Sequence, residues 1–256
     1  MGPRENIAFL VGSSSRVDLL RALAERPYRP TEIAKVCSCA RETAQRTLGG
    51  FVERGWVQKS EAQYQLTPGG VTVLEQYEKL ADVVKNAERL ETFLTNAGSA
   101  IEDLPTETYD ELTATEVSNS NPHAPIDRFL TVLGSTPVES FKGITPVVSP
   151  VYNEAAASVI GPETEMELVI DDSVLATSES EYPEALQRAI ELPQFSLYLT
   201  PREIEFGLTI VDGHAYIGAY DEFNNIVASV DGKSEAILTW AQTLYSEYRR
   251  SATLLE

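Results

Sequence analysis

At 256 residues, 43% of them hydrophobic, the chain is long for one domain and comfortable for two, each with a core of its own. Thirty-nine Asp and Glu against twenty Lys and Arg leave a net charge of −19, which taken whole argues against a nucleic-acid partner, because phosphate contacts need basic side chains. No apolar run reaches transmembrane length, the N-terminal stretch has too few apolar residues for a signal peptide, and two cysteines two residues apart make neither a disulfide framework nor a zinc pattern. A cytoplasmic protein without a membrane partner is expected.

The charge is not spread evenly. Residues 1–66 hold ten Lys and Arg against seven Asp and Glu, a balance of +3, and the remainder holds ten against thirty-two, a balance of −22. So acidic a remainder, with six lysines in the whole chain, points to the proteome of a salt-loving archaeon. A mesophilic acidic protein is the alternative.

In chain order, Glu5 to Val11 predicts a short apolar helix. Ser13 to Ser15 then cap a helix over about Arg16 to Glu25, with Val17, Leu19, Leu20, Leu23 and Ala24 on its buried side. Thr31 reads as the N-cap of a third, short helix whose apolar side is Ile33, Ala34 and Val36. Cys37-Ser38-Cys39 breaks the pattern for one turn. A fourth helix is predicted from about Ala40 to Arg54, with Ala44, Leu48, Phe51 and Val52 on one face. Arg41, Glu42, Gln45, Arg46 and Gly49 lie on the opposite face, and Gly55 ends the helix as C′. Trp56–Ser60 and Gln63–Thr67 read as two short strands around the turn Glu61-Ala62. Two short helices, a tight turn and a hairpin in that order make a winged helix-turn-helix.

The fourth helix exposes long, planar-headed side chains near its start, a pattern suited to base edges in the major groove. Arg41, Gln45 and Arg46 are the expected base readers; Thr31, Ser38, Thr43, Lys59 and the wing around Gln63 are the expected phosphate contacts. A solvated amphipathic helix is the bland alternative. Against it stands the coincidence that the net-basic part of the chain is the part with this pattern.

From Val71 to about Ala97 there is no Pro or Gly, and Val73, Tyr77, Leu80, Val84, Ala87, Leu90 and Leu94 recur at steps of three or four. This predicts one long helix, a linker that either packs on the chain's own second domain or pairs with a second copy. The expected domains are 1–70, a linker helix 71–97 and an α/β effector-sensing domain 98–256. Residues 98–125 begin as a polar, acidic loop with a strand at Thr113–Val117. Beyond it the reading is helix Ile126–Leu133, strand Ser140–Val148, helix Pro150–Ile160 entered at Ser149, strand Glu165–Ile170, helix Glu181–Glu191 and strand Phe195–Thr200. A hairpin with Asp212-Gly213 as its turn, a strand Asn225–Val230 and a closing helix Ser234–Arg250 follow. This alternation predicts a mixed α/β sheet ending in an antiparallel meander, so the fold class is α/β, α+β overall.

Three segments of this half, NPHAPIDRFL, GITPVVSPVYNEAA and FGLTIVDGHAYIGAYDEFNNIVASV, resemble the effector domain of the archaeal methanogenesis-regulator (FilR-type) proteins. The resemblance spans nearly the whole chain. It implies a DNA-binding transcriptional regulator with a sensor domain, and it names no signal.

Catalytic chemistry finds little purchase. A phospholipase-D-like cluster needs His-x-Lys-x4-Asp, but His123 is followed by Ala124-Pro125 and His214 by Ala215-Tyr216. No Gly-x-Ser-x-Gly elbow occurs. Asp171-Asp172 follows a strand, where a metal or acid/base pair can be built, although a solvated helix start is the commoner reason for such a pair. No catalytic residue, metal or cofactor is expected. A ligand crevice beyond the carboxyl ends of the strands would draw on Ser149, Tyr152, Asp171, Thr200, Arg202, Tyr220 and Asp221. Arg128 and Arg202 are rare positive charges in residues 99–256, which hold seven basic and twenty-seven acidic residues, and an anionic small molecule is one expectation. Cys37 and Cys39 flank the turn between the helices, either as a thiol switch or as small buried residues.

The reading is a homodimeric regulator of double-stranded promoter DNA with a small-molecule effector. The alternative is a protein-docking adaptor or antitoxin-like module.

Overall fold

The structure, a computed structural model, describes residues 2–98 and 101–255. Ser99 and Ala100, which the sequence places in a loop, lie outside the described residues, as do the two terminal residues. The chain divides into two compact units, residues 1–82 and 83–256.

The first unit consists of α1 (Pro3–Val11), α2 (Ser14–Glu25), α3 (Pro30–Val36), α4 (Arg41–Glu53), β1 (Val57–Ser60), β2 (Gln63–Leu66) and the start of α5 (Pro68–Arg89). Its core is Leu19, Leu20, Ile33, Ala44, Leu48 and Phe51, all without solvent exposure. The Phe51 ring meets Phe9 edge-on at 5.9 Å and Trp56 at 6.0 Å between centroids. Thr47 completes the buried stripe of α4, and Val52 is turned to solvent, as are Val36 on α3 and Ala24 on α2. The expected apolar faces are therefore correct in helix and one position off at their edges.

Helix α3 starts two residues earlier than an N-cap at Thr31 requires. Pro30 takes the first helical position, where its missing N–H and fixed φ are assets, and the Glu32 carboxylate accepts from Arg29 N at 2.9 Å. Thr31 thus lies inside the first turn and caps nothing. Gly55, at φ +71°, ends α4 as expected. The strands β1 and β2 pair antiparallel, and Tyr28 adds a one-residue third strand by exchanging two backbone hydrogen bonds with Tyr64, at 3.0 and 2.8 Å. A single strand residue between Pro27 and Pro30 has no alternation to announce it.

The β1–β2 hairpin is tied to α5 at a close approach. Thr67 Oγ1 donates to Gly55 O at 2.6 Å and accepts from Gly70 N at 3.0 Å. A Cβ on Gly70 would stand 2.0 Å from the Trp56 carbonyl oxygen. Val73, Leu74 and Tyr77 of α5 pack on the core of this unit, and Leu80, Val83 and Val84 are exposed.

The long helix expected over 71–97 is two helices. Leu90 leaves helical geometry at φ −105°, ψ 9°, and α6 (Glu91–Asn96) follows. The Arg89 guanidinium is anchored on the backbone carbonyls of Tyr109 and Leu112, and Leu90 and Phe93 both enter the core of the second unit. A straight helix would not satisfy these together, and no Pro or Gly marks the break.

The second unit carries an eight-stranded sheet in the order β10-β6-β5-β4-β7-β8-β9-β3. Its strands are β3 (Thr113–Glu116), β4 (Ser140–Ile144), β5 (Glu165–Ile170), β6 (Phe195–Leu199), β7 (Phe206–Val211), β8 (His214–Tyr220), β9 (Ile226–Gly232) and β10 (Thr253–Leu254). The strands β4, β5 and β6 are mutually parallel and the other pairings antiparallel, so the expected mixed sheet with a terminal meander is present. One sheet face packs against α6 and α11 (Glu235–Ser251), around Ile144, Val169, Phe206, Leu208, Ile217 and Val230. The opposite face packs against α7 (Ala124–Leu133), α8 (Pro150–Val159), α9 (Asp172–Glu181) and α10 (Pro183–Ile190).

Three local departures have plain causes. Strand β4 stops at Ile144, four residues short of Val148, because Pro146 has no N–H to give a neighbouring strand. Helix α9 has no place in the expected order of elements, although a helix start is the commoner reading of Asp171-Asp172; Asp171 builds it by accepting from Ser173 N and Val174 N, both at 3.0 Å. Strand β10 forms because the tail pairs with Tyr198 and Leu199.

Replacing Gly70 with alanine is expected to cost about 1–3 kcal/mol of stability in the first unit, the range for forced overpacking. Chemical denaturation followed by Trp56 fluorescence checks this, and a loss below about 0.5 kcal/mol would show that the start of α5 shifts freely.

Candidate nucleic-acid interface and interior cavity

The outward face of α4 is set by what its other face buries. With Ala44, Thr47, Leu48 and Phe51 inside, Arg41, Glu42, Gln45 and Arg46 are exposed and Thr43 is half-buried at the edge. Ser38, exposed at φ +49°, makes the turn from α3, and Thr31 is exposed one helix earlier. On the β1–β2 hairpin, Gln63 is exposed at the start of β2, and Lys59 holds its ammonium 5.9 Å from the Tyr64 ring.

Several arginines of this unit are already engaged. Arg21 makes a two-pronged bond to Glu78 at 2.7 and 2.9 Å. Arg16 and Arg54 sit over the Phe9 ring at 4.2 and 3.7 Å, and Arg26 over Tyr28 at 3.8 Å. Arg41 and Arg46 make no hydrogen bond or ion pair with any described residue. Cys37 and Cys39 are half-buried, and burial pushes the Cys37 thiol up, the opposite of an activated thiolate.

In the second unit, the face of the sheet under α8 and α10 is not filled. A cavity of about 820 Å³ lies over Phe141, Leu168, Phe195 and Tyr216, with Gly207 and Thr209 on its floor. Gly207 pairs with Gly218 across the β7–β8 hairpin. The Tyr220 ring lies over this glycine pair: Cβ atoms on Gly207 and Gly218 would stand 2.9 and 3.3 Å from it. Tyr152, from the first turn of α8, completes an aromatic group with Phe129 and Tyr216 at centroid distances of 5.2 and 5.4 Å. Burial, the largest cause, pushes the Tyr152, Tyr216 and Tyr220 phenols above their ordinary range, so they stay protonated and neutral.

Residues 122–251 match the family of the methanogenesis regulatory protein FilR1, middle domain, which covers just over half of the sequence. The chain belongs to this family. Residues 4–89 match a second family, the HVO_A0261 N-terminal domain. No curated protein matches the chain. Among solved structures, the FilR1-type chain is similar to the archaeal chromatin protein TrmBL2, with 11% identity over 98% of this chain and 100% of that one and a TM-score of 0.42. Quinone-bound YodB from B. subtilis aligns over 33% of this chain and 98% of its own, at 19% identity and a TM-score of 0.30. A phospholipase D family member, Nuc from Salmonella typhimurium, covers 57% of this chain and 99% of its own, at 14% identity and a TM-score of 0.44.

Of the eight ligand positions read from the sequence, the FilR1-type domain brings Tyr152 and Tyr220 to the cavity. The rest are committed elsewhere. Ser149 Oγ accepts from Tyr152 N at 3.4 Å as the cap of α8. Asp171 caps α9 and also accepts from Ile204 N at 3.1 Å, so both its oxygens are in use. Thr200 is fully buried beside Ser251, with 3.3 Å between their hydroxyls. Arg202 stacks on Tyr248 at 3.8 Å. Asp221 accepts from Phe223 N and Asn225 N at 2.9 and 2.8 Å to shape the β8–β9 turn, bonds that hold its carboxyl below the usual range. Arg128 makes a two-pronged ion pair with buried Asp231, at 2.6 Å for each arm, and His214 Nε2 meets the same carboxylate at 2.7 Å. The two arginines that prompted an anionic ligand are thus structural. The floor residues Gly207 and Gly218 escaped notice, although a two-residue turn at Asp212-Gly213 already places them opposite each other.

Arg128→Ala is expected to destabilise the second unit by about 2–3 kcal/mol, because it strips a buried carboxylate of its main partner; the partial exposure of the arginine keeps the loss at the low end. A thermal melt of the variant beside wild type measures it, and an unchanged melt would show that His214 alone suffices for Asp231.

Proposed function

We propose that the chain is a sequence-specific, DNA-binding transcriptional regulator in which α4 reads base edges from the major groove. The observation that carries this reading is the pair of exposed, uncommitted arginines, Arg41 and Arg46, flanking Gln45 on a helix that follows a tight turn. Membership of a regulator family supports it. Thr31, Ser38, Thr43, Lys59 and Gln63 stand at the margins of that face as phosphate contacts. The acidic remainder contributes nothing to phosphate binding, so the affinity rests on few cations and, with few counterions released, falls only modestly with salt.

The functional state in this reading is a homodimer, with the exposed Leu80, Val83 and Val84 of α5 as the seam to a second copy. Two reading heads then meet two half-sites. The second unit is the sensing half: a deep, half-open apolar cavity fits a small-molecule effector better than a docking surface, for which a broad apolar exterior is the mark. No catalytic step is assigned.

Purified protein titrated with the DNA upstream of its own coding region, in high potassium chloride, tests the reading. Arg46→Ala is expected to lose about 1–3 kcal/mol of binding on the preferred sequence alone. An equal loss on every sequence would make Arg46 a phosphate contact, and no selective binding by wild type, with or without candidate effectors, would remove the regulator reading. The double change Leu80→Glu, Val84→Glu is expected to halve the mass seen by light scattering; a wild-type monomer would dismiss the seam.

A further inference from the structure

The cavity over the Gly207–Gly218 pair constrains its own occupant. At about 820 Å³ it is of the size that encloses a drug-sized molecule. Left unfilled, apolar space of this size weakens the fold in proportion to its volume, so an occupant that fills it should stabilise the domain. Its charged neighbours, Glu154, Arg188 and Glu191, are exposed residues at its margin, and its sheet floor is uncharged. An anion drawn inside would lose its hydration with no buried cation to replace it.

The polar groups of the wall are mostly satisfied within the fold. Thr145 Oγ1 donates to Val147 O at 2.8 Å, Ser178 Oγ to Val174 O at 2.7 Å, and Tyr216 Oη to Pro125 O at 2.8 Å. Tyr152 Oη differs. It lies against the Tyr220 hydroxyl without a bond of good geometry, closed to a water-sized probe, on a ring that lines the cavity. A buried hydroxyl so poorly paired is costly, and a small turn of the ring that brings it to a ligand oxygen or nitrogen removes the cost.

We propose that this cavity binds an uncharged, predominantly apolar small molecule with one hydrogen-bonding group, which is read by the Tyr152 hydroxyl. This deepens the reading of the second unit as the sensing half and rests on it for its biological meaning, though the binding itself can be tested separately.

The full-length chain is titrated with Prodan, a neutral naphthalene carrying one ketone, in high potassium chloride. Binding of one probe per chain is expected, with blue-shifted emission and a raised melting temperature, and at least about tenfold tighter than the anionic 1-anilinonaphthalene-8-sulfonate. Ala156→Phe on α8 and Ala189→Phe on α10, two separate ways of filling the space, should each weaken Prodan by about tenfold while circular dichroism stays unchanged. Tyr152→Phe should weaken Prodan by about fivefold and leave the displacement of Prodan by naphthalene unaltered. Tighter binding of the anionic probe, or Prodan binding indifferent to both filling variants, overturns the proposal. The same titration repeated over operator DNA separates the two readings. Prodan bound in the cavity without any change in DNA affinity upholds the ligand class and ends the sensing reading, whereas selective DNA binding by a chain that takes up no neutral probe does the reverse.

Discussion

Every strand of the large sheet has two faces, and the second unit must cover both. On the face under α6 and α11 the side chains are large and interlock, and Ile144, Leu208, Ile217 and Val230 are almost without exposure. On the other face, glycine stands at positions 143, 207 and 218, so a layer of side chains is missing where the neighbouring strands supply one. The helices above cannot sink into that space, because Phe129, Val159 and Leu133 already meet the sheet at one side and Val174 and Leu186 at the other. A cavity is what remains when rigid helices rest on the rim of a floor with gaps in it. Tyr220 fills part of the gap by lying over two glycines, and Tyr152 closes the arrangement with a hydroxyl that has found no proper partner.

The same economy of partners distinguishes the charges. Arg128 is held by Asp231, Arg202 by the Tyr248 ring and Arg89 by two backbone carbonyls, so the few cations of the acidic unit act as struts. In the first unit the division is sharper. Arg16, Arg21, Arg26 and Arg54 are spent on rings or carboxylates of their own unit, and Arg41 and Arg46 are left to solvent at the head of α4. In a chain of net charge −19, these two are exposed cations side by side on the outward face of one helix.

Much of the molecule was legible from its residues. The turn chemistry of Gly55 and of Asp212-Gly213, both with positive φ, placed the end of α4 and the β7–β8 hairpin. The helical spacing of Ala44, Leu48 and Phe51 placed the exposed face of α4 by exclusion. Several readings that failed depend on a distant partner. Leu90 leaves helical geometry where residues 109–112 hold Arg89, and Tyr28 is a strand because Tyr64 lies opposite. Among the ligand positions, Asp171 and Thr200 are polar residues at strand ends whose partners Ile204 and Ser251 lie far along the chain, whereas Asp221 is taken up by its own turn.

The residues in order therefore determine the two-part plan, the helices and hairpin of the first unit with their exposed arginines, and the alternation that becomes a mixed sheet. These follow from local rules of period, cap and turn, which act over a few residues at a time. What the tertiary structure alone decides is which polar groups are used up and where space is left empty. Hydrogen bonding of a carboxylate such as Asp231 and the fit of helices over Gly207 and Gly218 depend on segments tens of residues apart. No local pattern records whether such a meeting leaves a group satisfied or a cavity open.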